Sequence, residues 1–187
     1  MTRTLAALAL ALIALSALTA CGGSDILCEG ADCTDNDAGT GNSNCKATLG
    51  GAASGTIACG TIAGVDANGS YNSSEDRWGI GLAGTDSNTG YGWNIAFTAP
   101  GKVTSGTFTA TATNHLGASY SGGDSSHFWA AQVNATSTLG SGTVTITSSS
   151  QQAGTGNDLV YTLHGSADLN LAPTGGTAGN ATMHIVF

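Results

Sequence analysis

The feature that most limits what this 187-residue chain can fold into is a two-residue alternation of apolar and polar side chains that runs from Cys45 to Phe187. RWGIGLAG sets Trp78, Ile80 and Leu82 on one side, and YGWNIAF does the same with Tyr91, Trp93, Ile95 and Phe97. SGTFTATATN separates Phe108, Ala110 and Ala112 from four threonines, and SGTVTITS repeats the pattern with Val144 and Ile146. DLVYTLHGSADLNL holds Leu159, Tyr161, Leu163, Ala167, Leu169 and Leu171 in one phase, and the chain ends on Ala181, Met183, Ile185 and Phe187. Successive strand residues point to opposite faces, so each run predicts a strand with one dry and one wet face. No segment after residue 20 has helical periodicity. The expectation is an all-β fold, a single antiparallel β-sandwich of about eight to nine strands spanning 45–187. Pro100 and Pro173 fall between the runs, so APGK and APTGG read as turns.

The first twenty residues are of a different kind. Arg3 is followed by an apolar run from Leu5 to Ala20, shorter than the roughly 20 residues a spanning helix needs, with the layout of a secretory signal. The run ends in LTAC, which resembles the lipobox of bacterial lipoproteins. That resemblance implies cleavage between Ala20 and Cys21 and lipidation of Cys21 by a diacylglyceryl thioether with an N-acyl chain such as palmitate. A single acyl chain holds a protein to a bilayer only marginally, with K of about 10⁴ M⁻¹, so several chains make a durable anchor. Gly22 in place of Asp after the cysteine points, by analogy with enteric sorting, to the outer membrane. The plainer alternative is an ordinary signal cut that leaves Cys21 as a thiol.

Residues 21–44 read as a flexible acidic linker. They hold few apolar side chains and carry Asp25, Glu29, Asp32, Asp35 and Asp37, a composition that cannot offset its own conformational entropy. Of five cysteines, setting Cys21 aside leaves Cys28, Cys33, Cys45 and Cys59, an even number that fits two disulfides in an oxidising compartment. Cys28 and Cys33 would close a small ring in the linker. A hairpin turning at Gly51, Ala52 and Ala53 would set Cys45 opposite Cys59. All twelve acidic residues but only three of the four basic ones follow residue 20, a balance that disfavours nucleic acid and anionic head groups as partners.

The residues that could carry chemistry form no recognised set. His115, His127, His164 and His184 lack zincin spacing and read as solvated. GGDSSHFW contains Asp124 and Ser125 but completes neither a serine-protease nor a hydrolase-elbow motif, and reads as a turn leading into a strand that buries Phe128 or Trp129. Asp32, Asp35 and Asp37 miss the order of an EF-hand loop. No catalytic residue, metal site or cofactor is therefore expected. Trp78, Trp93 and Trp129 could stack on sugar rings if displayed, although Trp78 and Trp93 share the phase of Ile80 and Ile95, which favours the core. The closing ATMHIVF is similar to the last strand of outer-membrane barrels, but strands such as TFTATATN lack an apolar lipid face.

From CKATLGGAASGTIAC through GTVTITS to the closing strand, the chain resembles a loose group of small Gly/Thr-rich bacterial lipoproteins. The resemblance implies an envelope location and a β-sandwich body, and transfers no active site. The sequence thus points to a non-enzymatic, lipid-anchored envelope module that meets the membrane through its anchor and has an envelope protein as partner. The alternative is a carbohydrate-binding module with a glycan partner.

Overall fold

The computed structural model describes residues 45–59, 68–86, 89–122, 127–152, 158–174 and 178–187. Within them the chain is all-β, its strands joined in one large antiparallel sheet. In chain order they are β1 (Lys46–Gly51), β2 (Gly55–Ala58), β3 (Asn68–Asn72), β4 (Arg77–Thr85), β5 (Gly92–Pro100), β6 (Gly106–Thr109), β7 (His115–Ser121), β8 (Phe128–Val133), β9 (Thr138–Leu139), β10 (Ser141–Gln151), β11 (Asp158–Thr174) and β12 (Ala181–Val186). The alternation that announced a sandwich is thus realised, with twelve strands in place of eight or nine.

The sheet is organised by β11, seventeen residues long. Residues 158–162 of one edge pair with β3, and residues 166–171 of the same edge pair with β12. The other edge carries β10 along 161–170 and β8 along 172–174. The path β3–β4–β5–β7–β8 therefore leaves β11 near its start and returns to it near its end, while β12–β1–β2 and β10–β6 branch from its middle. The branches face the main path across a shared core. Phe108 of β6 packs edge-on against Trp78 of β4 at 5.1 Å between ring centroids, and the Trp93 indole of β5 donates to the Ile57 carbonyl of β2 at 3.3 Å.

Gly165 is where β11 passes from one neighbour to the next. A Cβ there would overlap the Thr145 carbonyl oxygen of β10, opposite a register shift between Ile146 and Ser148. Its backbone exchanges hydrogen bonds with Phe187 at 2.8 and 3.0 Å, tying the last residue into the sheet.

The inward positions follow the sequence phase: Trp78 and Ile80; Trp93, Ile95 and Phe97; Val144 and Ile146; Tyr161, Leu163, Ala167, Leu169 and Leu171; Ala181, Met183, Ile185 and Phe187. The closing strand turns Thr182 and His184 outward, the reverse of a lipid-facing barrel strand. The hairpin register of β1 and β2 sets Cys45 opposite Cys59, and the two form a disulfide with Cα atoms 5.3 Å apart. Closing a loop of this length stabilises by about 3 kcal/mol in the chain-entropy view.

Several expectations are corrected. Pro100 is the last residue of β5, paired with Arg77, and Pro173 is the second-to-last residue of β11, paired with Trp129. Both sit at strand ends, where a missing N–H costs least. Strand β6 stops at Thr109. Beyond it the Thr111 hydroxyl accepts the amides of Thr113 and Asn114, and Asn114 donates to the Thr109 carbonyl, so TATN is a turn. Leu82 is half-buried, and Tyr91 precedes β5 with 37% of its surface exposed.

Because the space opposite Gly165 is filled by backbone, which cannot rotate away, Gly165→Val should destabilise the fold by about 2 kcal/mol or more. Gly81→Ala, into open space on the same sheet, should stay within about 0.5 kcal/mol of the parent. Urea denaturation followed by tryptophan emission checks both.

Candidate functional site

The residues singled out in the sequence part company in the structure. All three tryptophans are interior, with 1%, 2% and 3% of the surface of Trp78, Trp93 and Trp129 exposed. None offers an open face to a sugar ring, because each side chain follows the inward phase of its strand. Two of them are also committed through nitrogen, Trp93 to Ile57 and Trp129 to the Gly179 carbonyl at 3.0 Å. The Trp78 N–H has no hydrogen-bond partner and lies between Phe97 and Phe108. Ala20, Cys21, Cys28, Cys33, Asp32, Asp35, Asp37, Asp124 and Ser125 lie outside the described residues. Among the described residues no three His, Cys, Asp or Glu side chains gather where they could hold a metal ion.

His164 and His184 stand on the wet face, as their phase requires. His184 also finds a partner that sequence reasoning missed, since its Nδ1 lies 2.6 Å from Asp168 Oδ1. Cross-strand register continues the row, because Thr48 pairs with His184 and His184 with Asp168. Hydroxyl, imidazole and carboxylate in that order have the sequence of a nucleophile triad. Here, however, the row crosses an open sheet face and lines a shallow depression of about 260 Å³. The His184 and Asp168 side chains are 49% and 64% exposed, and the flanking backbone amides are engaged in ladder pairing. An ion pair in that setting contributes little.

The more enclosed arrangement lies at one end of the sheet, where three connections meet. The first is the β1–β2 turn, whose Ala52 amide donates to the Asn180 carbonyl at 3.0 Å. The second is the β4–β5 connection, in which the Asp86 amide donates to the Tyr91 carbonyl at 2.8 Å and the Thr89 hydroxyl to Asp86 Oδ2 at 2.9 Å. The third leaves β7, where the Gly122 amide donates to the His127 carbonyl at 2.7 Å. Between them is a cleft of about 160 Å³ lined by Ala52, Ala53, Ser54, Tyr91, Tyr120, Gly122, His127 and Trp129.

Its walls are aromatic. Tyr120 and Trp129 face each other across β7 and β8 and stack at 5.6 Å and 27°. Tyr91 meets Tyr120 at 6.1 Å and 84°, nearly a right angle. His127 lies 6.3 Å from Trp129. Gly122 makes the approach possible, since a Cβ there would collide with His127 and press on the Tyr91 ring. Phe128, expected as an alternative to Trp129 in the core, faces outward from β8 and is 36% exposed.

The electrostatics of the cleft are acceptor-rich. The Tyr120 hydroxyl is held above the ordinary tyrosine value, first by burial, then by its neighbours Tyr91 and Asp86, whose negative charge opposes a phenolate. Tyr71, elsewhere, is raised by its hydrogen bond to Asp76 Oδ1 at 2.8 Å, then by burial. The cleft thus pairs perpendicular ring faces with hydroxyls and a nearby carboxylate. Its signal in the sequence is only the tyrosine that opens YGWNIAF and the alternation of HLGASYS, which leaves Tyr120 in phase with Leu116 and Ala118. No family model, curated protein or solved structure matches the chain.

Two outcomes follow. Trp93→Phe strands the buried Ile57 carbonyl and should cost about 1–3 kcal/mol beyond the lost volume, whereas Trp78→Phe removes an unsatisfied donor and should cost less; urea midpoints of the two variants decide. For the raised tyrosines, the unfolded chain releases its protons first. The stability they contribute is therefore fully present below about pH 10 and falls as pH rises from there through the raised folded values. Melting curves taken across pH 9 to about 11 should show this decline, and Tyr120→Phe should make it shallower.

Proposed function

We propose that this protein is a bacterial envelope lipoprotein, fastened to the outer membrane through lipid on Cys21, whose β body serves as a non-enzymatic interaction module. The observation that carries the reading is Leu18, Thr19, Ala20 and Cys21 at the end of an apolar run, followed by a polar, acidic stretch up to residue 44. A disulfide at Cys45 and Cys59 is in keeping with an oxidising compartment. Support for binding in place of catalysis comes from the two sites. The His184–Asp168 pair stands in water on a flat face, where a reacting group gains neither enclosure nor oriented donors. The aromatic cleft, of about 160 Å³, is the more enclosed of the two and is lined by aromatic side chains.

The sugar-stacking alternative drew on Trp78, Trp93 and Trp129, and their burial leaves it without the rings it named. Labelling of the expressed full chain with radioactive palmitate should mark the parent and leave Cys21→Ser unmarked, and mass spectrometry should find the mature terminus at lipidated Cys21. A free thiol at that position, or protein recovered from the medium without detergent, would refute the anchor.

A further inference from the structure

We infer that Asn72 and Asn134 are acceptors for an N-linked sugar, taken from a donor activated at its anomeric carbon as a glycosyl diphosphate. The inference concerns two turns of the β body and is independent of the lipid anchor at Cys21.

The tripeptide Asn-x-Ser/Thr, the acceptor motif for sugar transfer to an amide nitrogen, occurs four times, at Asn68, Asn72, Asn134 and Asn180. The fold divides these into two pairs. Gly69 and Ser70 lie in β3, paired with β11 on one side and with β4 on the other. Ala181 and Thr182 lie in β12 between β1 and β11, and the Asn180 carbonyl accepts the Ala52 amide. A transferase has to close around its tripeptide, and a segment hydrogen-bonded along both edges cannot be enclosed. The other two open turns. Asn72 ends β3 and is followed by exposed Ser73 and Ser74, and Asn134 follows β8 and precedes exposed Ala135 and Thr136. Such tips are where a chain tolerates added bulk.

The two turns also share one set of hydrogen bonds. Asn72 Oδ1 accepts the Ser74 amide at 2.9 Å, the Ser74 hydroxyl at 2.6 Å and the Glu75 amide at 3.3 Å. Asn134 Oδ1 accepts the Thr136 amide at 2.8 Å, the Thr136 hydroxyl at 2.9 Å and the Ser137 amide at 2.9 Å. The hydroxyl that the motif demands is thus already placed on the carboxamide oxygen, while Nδ2, a double donor, bonds to no described residue. Three donors on Oδ1 draw electron density toward oxygen and make an Nδ2 proton easier to remove. In the transfer, a base of the transferase takes that proton and Nδ2 forms a bond to C1 of the sugar. The bond from C1 to the diphosphate oxygen breaks, and its electron pair leaves with the diphosphate.

Both turns project from the same end of the sheet. Thr85, Gly92, Ser121 and Phe128 stand in register at the end that carries the aromatic cleft. Arg77, which follows the first turn, pairs with Pro100, and Val133, which precedes the second, pairs with Leu116, at the opposite end. Sugars on Asn72 and Asn134 therefore cover the tips farthest from the cleft with bulky, solubilising groups and leave the cleft open.

The test is mass spectrometry of the full chain purified from its native cells, with chymotryptic peptides fragmented by electron transfer so that each sugar stays on its residue. The expected result is a hexose or hexosamine mass on Asn72 and on Asn134, with Asn68 and Asn180 bare. Thr136→Ala should lose the sugar at Asn134 and Thr136→Ser should keep it; Ser74→Ala and Ser74→Thr should do the same at Asn72. All four changes lie in turns, and unchanged circular dichroism verifies that the variants fold. Bare Asn72 and Asn134 in the parent chain overturn the assignment. Sugar that survives both alanine variants overturns it too, because transfer then ignores the motif, as does sugar on Asn68 or Asn180 with the two turns bare. Full-length precursor held in the cytoplasm by azide identifies the donor. Sugar on that precursor upholds the inference with a nucleotide-linked source, and sugar confined to exported chain upholds it with a lipid-linked one. Palmitate labelling reports on the anchor separately.

Discussion

Everything in this fold depends on one strand being able to change partners halfway along its length. β11 bonds to β3 and then β12 on one edge and to β10 and then β8 on the other. In an ordinary sandwich the two layers touch only through side chains, and the sheet edges stay open to further pairing. Here the layers share a backbone, so the main path of strands begins and ends on the same element. The sharing requires one residue without a side chain at the crossing, where the Thr145 carbonyl fills the space over Gly165. It also requires the small bulge in β10 opposite, which bends the partner and increases local twist. The terminal Phe187 then bonds back to Gly165, so the end of the chain closes the junction.

The cleft lies away from that junction and is held by other contacts. The cleft is assembled from the β1–β2 turn, the β4–β5 connection and the start of the β7–β8 connection, and these belong to opposite layers. What holds the β1–β2 hairpin against β4 and β5 is close backbone contact, since a Cβ on Gly84 would strike the Ala58 carbonyl and the Trp93 indole. The Cys45–Cys59 bond fixes the register at the other end of the hairpin from Ala52, Ala53 and Ser54. A slip of one residue would turn Ala47, Leu49 and Ile57 to solvent and carry the turn away from Tyr91. The staple and the glycine contact thus serve the cleft as much as they serve stability.

The part of this that could be read in the sequence is the part that obeys a period of two. Trp78 and Ile80, Trp93 to Phe97, and Leu159 to Leu171 declare their inward phase, and the hairpin register that joins Cys45 to Cys59 follows from counting outward from the turn. Strand β3 could not be read, because NGSYN is a run of turn-formers that becomes a strand only through its neighbours β4 and β11. Strand β7 was hidden for a similar reason, with small outward residues in HLGASYS that weaken its contrast. The same limit applies to function. Period two placed Tyr91 with Trp93, but the chain turns just before Gly92, and that turn converts a core position into an exposed wall of the cleft. Tyr120, His127 and Tyr91 are brought together by pairing between strands, which no local pattern encodes.

Charge connects the body to its proposed place in the cell. The acidic residues outnumber the basic ones by twelve to four, and one of the four, Arg3, precedes the proposed cleavage point. On the proposed reading, a body of this sign would be repelled by anionic head groups, so the proposed anchor, and not the surface of the body, would supply the attraction to the bilayer. Within a Debye length of such a surface, about 8 Å at physiological ionic strength, cations are enriched and anions depleted.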